Sequence, residues 1–234
     1  DVGGSTLNSG GSTEATGVTS TSGYGVNGDT NATQVRVVSS TIDGGISASR
    51  AEGSANASRT IEITGNTVRS GAISVQSDNQ STTAVPIKVA NNSVTGVSGD
   101  HALRIYDQRM QPSNLTGNTA TGNTMNTLAL SGTIIENWTI PTSGPALVVD
   151  NGPSWYGLTI ATGKTVTAPA GAIVKFETNN WVGLNVAGSL IVNGTSSTPV
   201  RFTSIDDDSV GGDTNGDGDD THPTTGDWGS ISVN

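Results

Sequence analysis

The sequence contains no cysteine, few aromatic residues and few charges. Aromatic side chains make up 4 % of the 234 residues and charged ones 13 %. Without cysteine, disulfide bonds and thiolate metal sites are excluded. Ten basic residues stand against 20 acidic ones, and no basic stripe is present to neutralise phosphates, which disfavours nucleic-acid binding. No apolar run reaches the length of a membrane span.

Amphipathic helix patterns are missing as well. No stretch carries apolar residues at positions i, i+3, i+4 and i+7 for long. The 32 glycines, together with many Asn, Ser and Thr residues, favour tight turns and disfavour helices. Short segments such as 174–176 alternate apolar and polar residues instead, which is the period of a β-strand.

A period of 26 residues runs through the C-terminal half. It separates five pairs of similar residues: Trp155 and Trp181, Ile160 and Val186, Val166 and Val192, Val174 and Val200, and Phe176 and Phe202. Such a period predicts a solenoid of stacked strands. We therefore expect Val200 to lie over Val174 and Phe202 over Phe176 in interior columns.

A third copy of this repeat begins at Trp228, 47 residues after Trp181. The excess over one period is 21 residues, and it fits between Ser204 and Gly226. We therefore predict that residues 205–225 form a loop extruded from an otherwise regular coil.

The N-terminal half has the same period. Asn66, Asn92 and Asn118 are 26 residues apart, so we expect a hydrogen-bonded column of asparagines at a turn that tolerates left-handed backbone. Arg36, Glu62 and Lys88 share the spacing at outward positions, so charges of alternating sign should stack there. The chain is therefore predicted to be an all-β, parallel β-helix of about 26 residues per coil. It forms one domain over 1–234, with 1–17 as an irregular first coil or arm.

The Asn-Thr-Val and Asn-Ser-Val turns that follow Ile61-Glu62-Ile63 and Ile87-Lys88-Val89 resemble the right-handed parallel β-helix of the pectin-lyase-like superfamily. Segments 165–176 and 190–204 are similar to coils of large bacterial secreted and cell-surface β-helix proteins, as is an Asp-rich loop before Gly-Asp-Trp-Gly. The resemblance implies an extracellular or cell-surface location. It does not select a function, because the superfamily includes lyases, hydrolases, adhesins and passive stalks.

The insertion carries seven of the 20 acidic residues and no lysine or arginine. Its segment 213–219 matches the opening of an EF-hand-type calcium loop, with Asp213, Asn215 and Asp217 at positions 1, 3 and 5 and a glycine at position 6. Position 12 is Thr224, so a bidentate ligand must come from the remaining acidic candidates: Asp206, Asp207, Asp208, Asp219, Asp220 and Asp227. The alternative is a solvated acidic loop, but so many close carboxylates would repel one another without a cation.

A second cluster of ionisable residues spans 100–109. If Leu103 and Ile105 point inward, Arg104 and Tyr106 stand together on the outer face, where a polysaccharide lyase would need a cation and a base. The competing interpretation is a strand with ordinary surface polar residues, and no paired-carboxylate or Ser/His/Asp arrangement is recognisable.

Three function classes remain open. The first is a calcium-stabilised structural or adhesive segment of an exported protein, with calcium, further copies of itself or surface glycans as partners. The second is a polysaccharide lyase or hydrolase acting on the β-helix face. The third is an ice-binding face, suggested by two threonine pairs: Thr133 with Thr159, and Thr139 with Thr165.

Overall fold

The chain forms a parallel β-solenoid in which successive turns stand about 26 residues apart, and it contains almost no helix. The computed structural model describes residues 6–7, 12–16, 26–28, 34–153 and 157–234. Two short 3-10 turns, Ser54–Asn56 and Pro112–Leu115, are the helical segments of this described part. The all-β, parallel, 26-residue coil expected from the sequence is thereby confirmed. The expected repeat start at Trp155 lies outside the described residues.

The strands of the described part follow in chain order. In the first half they are β1 (Thr6–Leu7), β2 (Ser12–Thr16), β3 (Val26–Gly28), β4 (Gln34–Val38), β5 (Thr41–Arg50), β6 (Thr60–Thr64), β7 (Thr67–Ser77), β8 (Lys88–Ala90), β9 (Ser93–Thr95), β10 (His101–Met110) and β11 (Thr119–Ala120). In the second half they are β12 (Met125–Ile134), β13 (Trp138–Thr139), β14 (Ala146–Val149), β15 (Leu158–Ile160), β16 (Thr165–Pro169), β17 (Ile173–Phe176), β18 (Leu184–Val186), β19 (Ser189–Asn193), β20 (Arg201–Ser204) and β21 (Ile231–Val233).

These strands pair in parallel across turns and form three sheets. The largest has 14 strands, and its main path runs β1-β3-β5-β7-β10-β12-β14-β17-β20. A second sheet, β2-β4-β6-β8, forms another side of the N-terminal coils. A third sheet, β13-β16-β19, forms the corresponding side of the C-terminal coils. Val37, Ile63 and Val89 are paired in register and fully buried, so alternate residues of each strand fill the interior.

The predicted asparagine column is present and buried. The Nδ2 atom of Asn66 donates to Oδ1 of Asn92 at 2.9 Å, and Nδ2 of Asn92 donates to Oδ1 of Asn118 at 3.0 Å. The left-handed backbone lies one residue earlier in each turn, with φ of 69° at Gly65, 57° at Asn91 and 73° at Gly117. The column residues themselves therefore point inward and satisfy buried backbone groups of the turn.

The predicted charge column also forms. Nε of Arg36 lies 3.0 Å from Oε2 of Glu62, and Nζ of Lys88 lies 3.7 Å from Oε1 of the same side chain. All three side chains are substantially exposed, so each pair is worth less than about 1 kcal/mol.

In the C-terminal coils, the register departs from the expected spacing. Leu158 pairs with Leu184 and Leu184 with Ile231, as the periods of 26 and 47 predict. The expected stacks of Val192 on Val166, Val200 on Val174 and Phe202 on Phe176 are wrong, because the observed pairs are Val166 with Leu190, Val174 with Phe202, and Phe176 with Ser204.

Unequal turn lengths are the cause of this shift. The turn between β15 and β16 has four residues, whereas the equivalent turn one coil later, between β18 and β19, has two. Gly188 is required in that shorter turn, since a Cβ there would lie 2.3 Å from the carbonyl oxygens of Ala161 and Lys164. The next turn of the coil becomes longer: three residues join β16 to β17, whereas seven join β19 to β20 one coil later. The first change shortens the spacing of paired residues to 24, as between Thr165 and Ser189, and the second lengthens it to 28, as between Ile173 and Arg201. The mean stays at 26, but β19 and β20 are displaced in opposite directions.

Candidate calcium centre

The acidic insertion lies outside the coil and packs against its outer face. It begins where β20 ends, with the Ile205 N–H donating to the Phe176 carbonyl at 2.8 Å. Ile205 is 3 % exposed because it packs on Ala129 and Val148, two outward residues of β12 and β14. Further along the insertion, Gly216 lies against Thr124, where a Cβ would come within 2.2 Å of the threonine methyl. The loop thus covers part of the large sheet.

Lys175 holds the loop against this sheet. It occupies an outward position of β17 and is nevertheless fully buried. Its ammonium donates to the carbonyl of Asp207 at 2.9 Å, the carbonyl of Gly212 at 2.8 Å and Oγ1 of Thr214 at 2.7 Å. Burial lowers the pKa of Lys175, and nearby carboxylates, that of Asp208 foremost, act in the opposite direction.

Three of the predicted metal ligands converge beside this lysine. One carboxylate oxygen from each of Asp208, Asp213 and Asp217 lies within 4.8 Å of the other two. Both carboxylate oxygens of Asp208 and Oδ1 of Asp217 are out of contact with solvent and have no hydrogen-bond partner. Burial raises the pKa of Asp208, and the adjacent Asp213 carboxylate raises it further. Unsatisfied carboxylate oxygens that face one another are costly without a cation.

The EF-hand-like segment forms a tight turn that aims these carboxylates. Oδ1 of Asp213 accepts from the Gly216 N–H at 2.6 Å, and Oδ2 accepts from the Gly218 N–H at 3.0 Å. Both glycines adopt left-handed backbone, with φ of 80° and 83°. Asn215 braces the turn, because its Nδ2 donates to Asp217 Oδ2 at 3.0 Å and to Asp206 Oδ1 at 3.1 Å.

The other predicted acidic ligands have different surroundings. Asp207 accepts from the hydroxyls of Ser209 and Thr203, which lowers its pKa. Asp227 caps its own turn by accepting from the N–H and hydroxyl of Thr224. Asp219 lies 3.8 Å from the exposed His222, and Asp220 is exposed. The structure therefore brings together Asp208 and two of the three EF-hand positions, while Asp206 and Asn215 contact the edge of the cluster.

Sequence reasoning missed Lys175. The signal was available, because this lysine stands at an outward position one coil before an insertion that contains no basic residue. What could not be read from the sequence is that the loop folds back over that position.

Most ionisable side chains of the second candidate cluster are buried or already paired. Leu103 and Ile105 are fully buried, as predicted. Arg104 lies between two carboxylates, 3.2 Å from Asp100 and 3.1 Å from Asp150, so its charge is already paired. Tyr106 is only 5 % exposed.

A hydroxyl, an imidazole and a carboxylate do meet near this cluster. Nδ1 of His101 lies 2.7 Å from Oγ1 of Thr127, and Nε2 lies 2.8 Å from Oε1 of Glu177. Sequence reasoning found no such arrangement, because 76 residues separate the imidazole from the carboxylate. His101 and Thr127 are at most 1 % exposed, so the hydroxyl is closed to an external substrate.

A stacked polar network is buried along the large sheet, on strands β5, β7 and β10. Arg50, Ser77 and Asp107 occupy one register position on β5, β7 and β10. Nη2 of Arg50 donates to the Ser77 hydroxyl at 2.9 Å. Burial raises the pKa of Asp107 to about 6, against the opposing effects of the Arg109 N–H and the Arg50 charge.

The two expected threonine pairs do not extend into a continuous threonine array in the described coils. Thr133 pairs with Thr159, as expected, but the column continues as Asn185 and Ser232. Thr139 pairs with Thr167, so the expected pair with Thr165 is wrong.

Comparison with protein-family models, with curated proteins and with solved structures found no match. Within the described ranges, no helix has the length and apolar character needed to cross a membrane.

Proposed function

We propose that this chain is a calcium-stabilised structural segment of an exported, surface-exposed β-helix protein. The convergence of Asp208, Asp213 and Asp217 carries the proposal, because both carboxylate oxygens of Asp208 and one of Asp217 are buried and unpaired. Calcium is the cation of choice because all candidate ligands are hard oxygens, from carboxylates and the amide of Asn215. Water and the nearby Asp206 and Asn215 side chains would complete its coordination of about six to eight oxygens.

The role of the ion in this proposal is to stabilise the loop rather than the coil. The loop contacts the outer face of strands whose interior is complete without it, since Val149 and Phe176 beneath it are fully buried. Calcium binding therefore orders a surface feature on a stable scaffold, which suits a structural or adhesive protein.

Isothermal titration calorimetry with calcium and with magnesium tests this proposal. The matched comparison is between Asp213→Asn/Asp217→Asn and Asp219→Asn/Asp220→Asn, because both double variants remove two charges from the same loop. We expect the first to abolish calcium binding and the second to retain it within about threefold. Equal losses would show nonspecific attraction by an acidic loop, and the absence of binding to the unaltered chain would refute the metal site.

The finer assignments belong to this same proposal. Right-handed coiling, membership of the pectin-lyase-like superfamily and an extracellular location follow from the Asn-turn and Asp-loop resemblances. Self-association or surface-glycan binding belongs to the proposal as well, and the exposed apolar side chains are its candidate contacts: Trp181, Ile191, Val192 and Val233. Sedimentation over a wide concentration range, in calcium, distinguishes a filament from a monomer.

The alternative is a polysaccharide lyase or hydrolase that acts on the β-helix face. One observation favours it, a groove on the outer face whose lining includes Arg104, Tyr106, Asp150 and Asn151. The pairing of Arg104 with two carboxylates weighs against a role in binding an acidic sugar. Release of unsaturated or reducing ends from uronate polymers would establish the enzyme, and Arg104→Ala should then abolish that release.

A further inference from the structure

We infer that Lys175 is a built-in counter-ion that docks the inner half of the acidic loop, residues 205–214, independently of any divalent cation. The outer half, residues 215–225, depends on the metal. This inference rests on the proposed calcium site and extends it by dividing the loop between two cations.

The first argument is the choice of acceptors. The Lys175 ammonium uses its three donors on two backbone carbonyls and one hydroxyl, at 2.7 to 2.9 Å. None of these acceptors is a carboxylate oxygen. The ammonium therefore contributes a positive charge to the loop without occupying the oxygens of Asp208, Asp213 or Asp217, and a metal ion and the lysine do not compete.

The second argument is burial. Lys175 is fully buried and Thr214 is 3 % exposed. The Thr214 hydroxyl also donates to the Ile205 carbonyl at 3.1 Å, so the lysine links both ends of the inner half. A buried ammonium with all three donors satisfied is strongly held, because losing any acceptor would leave an uncompensated charge.

The third argument is the apolar contact under the same segment. Ile205 packs on Ala129 and Val148, and Gly211 lies beside Ile173 and the end of the Lys175 stem. Among the described residues, the outer half meets the coil where Gly216 lies against Thr124. Its order depends on hydrogen bonds among its own exposed polar groups and on the carboxylate cluster.

Hydrogen exchange of the whole chain, with calcium and with a chelator, tests the division. In the unaltered chain, chelation should speed exchange over 215–225 and leave 205–214 protected. Lys175→Met should raise exchange over 205–214 at least about tenfold in chelator, as expected for the loss of charge-assisted hydrogen bonds. Lys164→Met, the same change away from the loop, is the control and should leave 205–214 unchanged.

Exchange in β6 and β7 serves as an internal measure of folding, and Thr214→Val offers a milder variant if Lys175→Met disrupts the coil. Inner-half protection that survives both variants would overturn the inference, as would inner and outer halves that loosen together on chelation. If chelation has no effect anywhere but Lys175→Met still exposes 205–214, the calcium proposal fails and the docking role of Lys175 stands.

Discussion

The rings of Phe176 and Trp228 are stacked, with centroids 4.1 Å apart and planes inclined by 9°. Phe176 is fully buried at the end of β17, and Trp228 stands where the chain returns from the acidic insertion. The aromatic stack therefore holds the end of the insertion against the coil, and the ammonium of Lys175 holds the insertion itself. The repeat partner of Trp228, Trp181, is instead 70 % exposed.

This difference predicts unequal effects of two tryptophan substitutions. Trp228→Ala should lower the free energy of unfolding by about 2–4 kcal/mol, because it removes a partly buried ring and leaves Phe176 without its stacking partner. Trp181→Ala should cost less than about 0.5 kcal/mol. Denaturant unfolding of both variants measures the contrast, and similar costs would show that the stack is not a stabilising contact.

The two phenylalanines should differ as well. From spacing alone, Phe202 would share one core with Phe176, and its loss would cost about 3–5 kcal/mol. In the structure Phe202 pairs with Val174 and is only partly buried. We therefore expect Phe176→Ala to cost about 3–5 kcal/mol and Phe202→Ala about 1–3 kcal/mol in the same denaturation experiment. A larger cost at Phe202 would contradict the observed register.

Asn92 occupies the middle of the asparagine column and is 1 % exposed. Its Nδ2 donates to the Ile63 carbonyl at 2.9 Å, and its Oδ1 accepts from the Asn66 N–H at 3.1 Å. Asn92→Ala should destabilise the fold by about 2–4 kcal/mol, since several buried groups lose their partners together. Asn193→Ala, at an exposed position of β19, is the control and should change stability by less than about 0.5 kcal/mol.

Asp107 predicts a pH dependence of stability. Its pKa is raised to about 6 in the folded state, from an ordinary value of 3.8, so the folded chain holds a proton that the unfolded chain has released. This contribution is complete below pH 3.8 and is lost as pH rises to about 6, at about 1.4 kcal/mol per pKa unit. Unfolding free energies measured from pH 4 to 7 should fall accordingly, and Asp107→Asn should remove that component. If the variant keeps the same pH profile, the pH dependence of the unfolding free energy arises from other groups.

Much of the fold was readable from the sequence because solenoid information is local and repeated. Alternation at Val35 and Val37 indicates which side of a strand is buried, and a spacing of 26 residues indicates which strand lies next to it. The column of Asn66, Asn92 and Asn118 follows from the same spacing, because identical turns stack identical side chains. The motif 213–219 likewise predicts a cation-binding turn within seven consecutive residues.

Only the tertiary structure decided the registers of β19 and β20. A turn of two residues sets the spacing of β16 and β19 to 24, and a turn of seven sets that of β17 and β20 to 28, while the mean stays at 26. It also decided which carboxylates meet, since Asp208 joins Asp213 and Asp217 only when the loop folds back on itself. The burial of Lys175 depends on the same fold. An outward lysine on a strand is ordinarily solvated, and it became the anchor of the loop because the insertion returns to cover the face from which it projects.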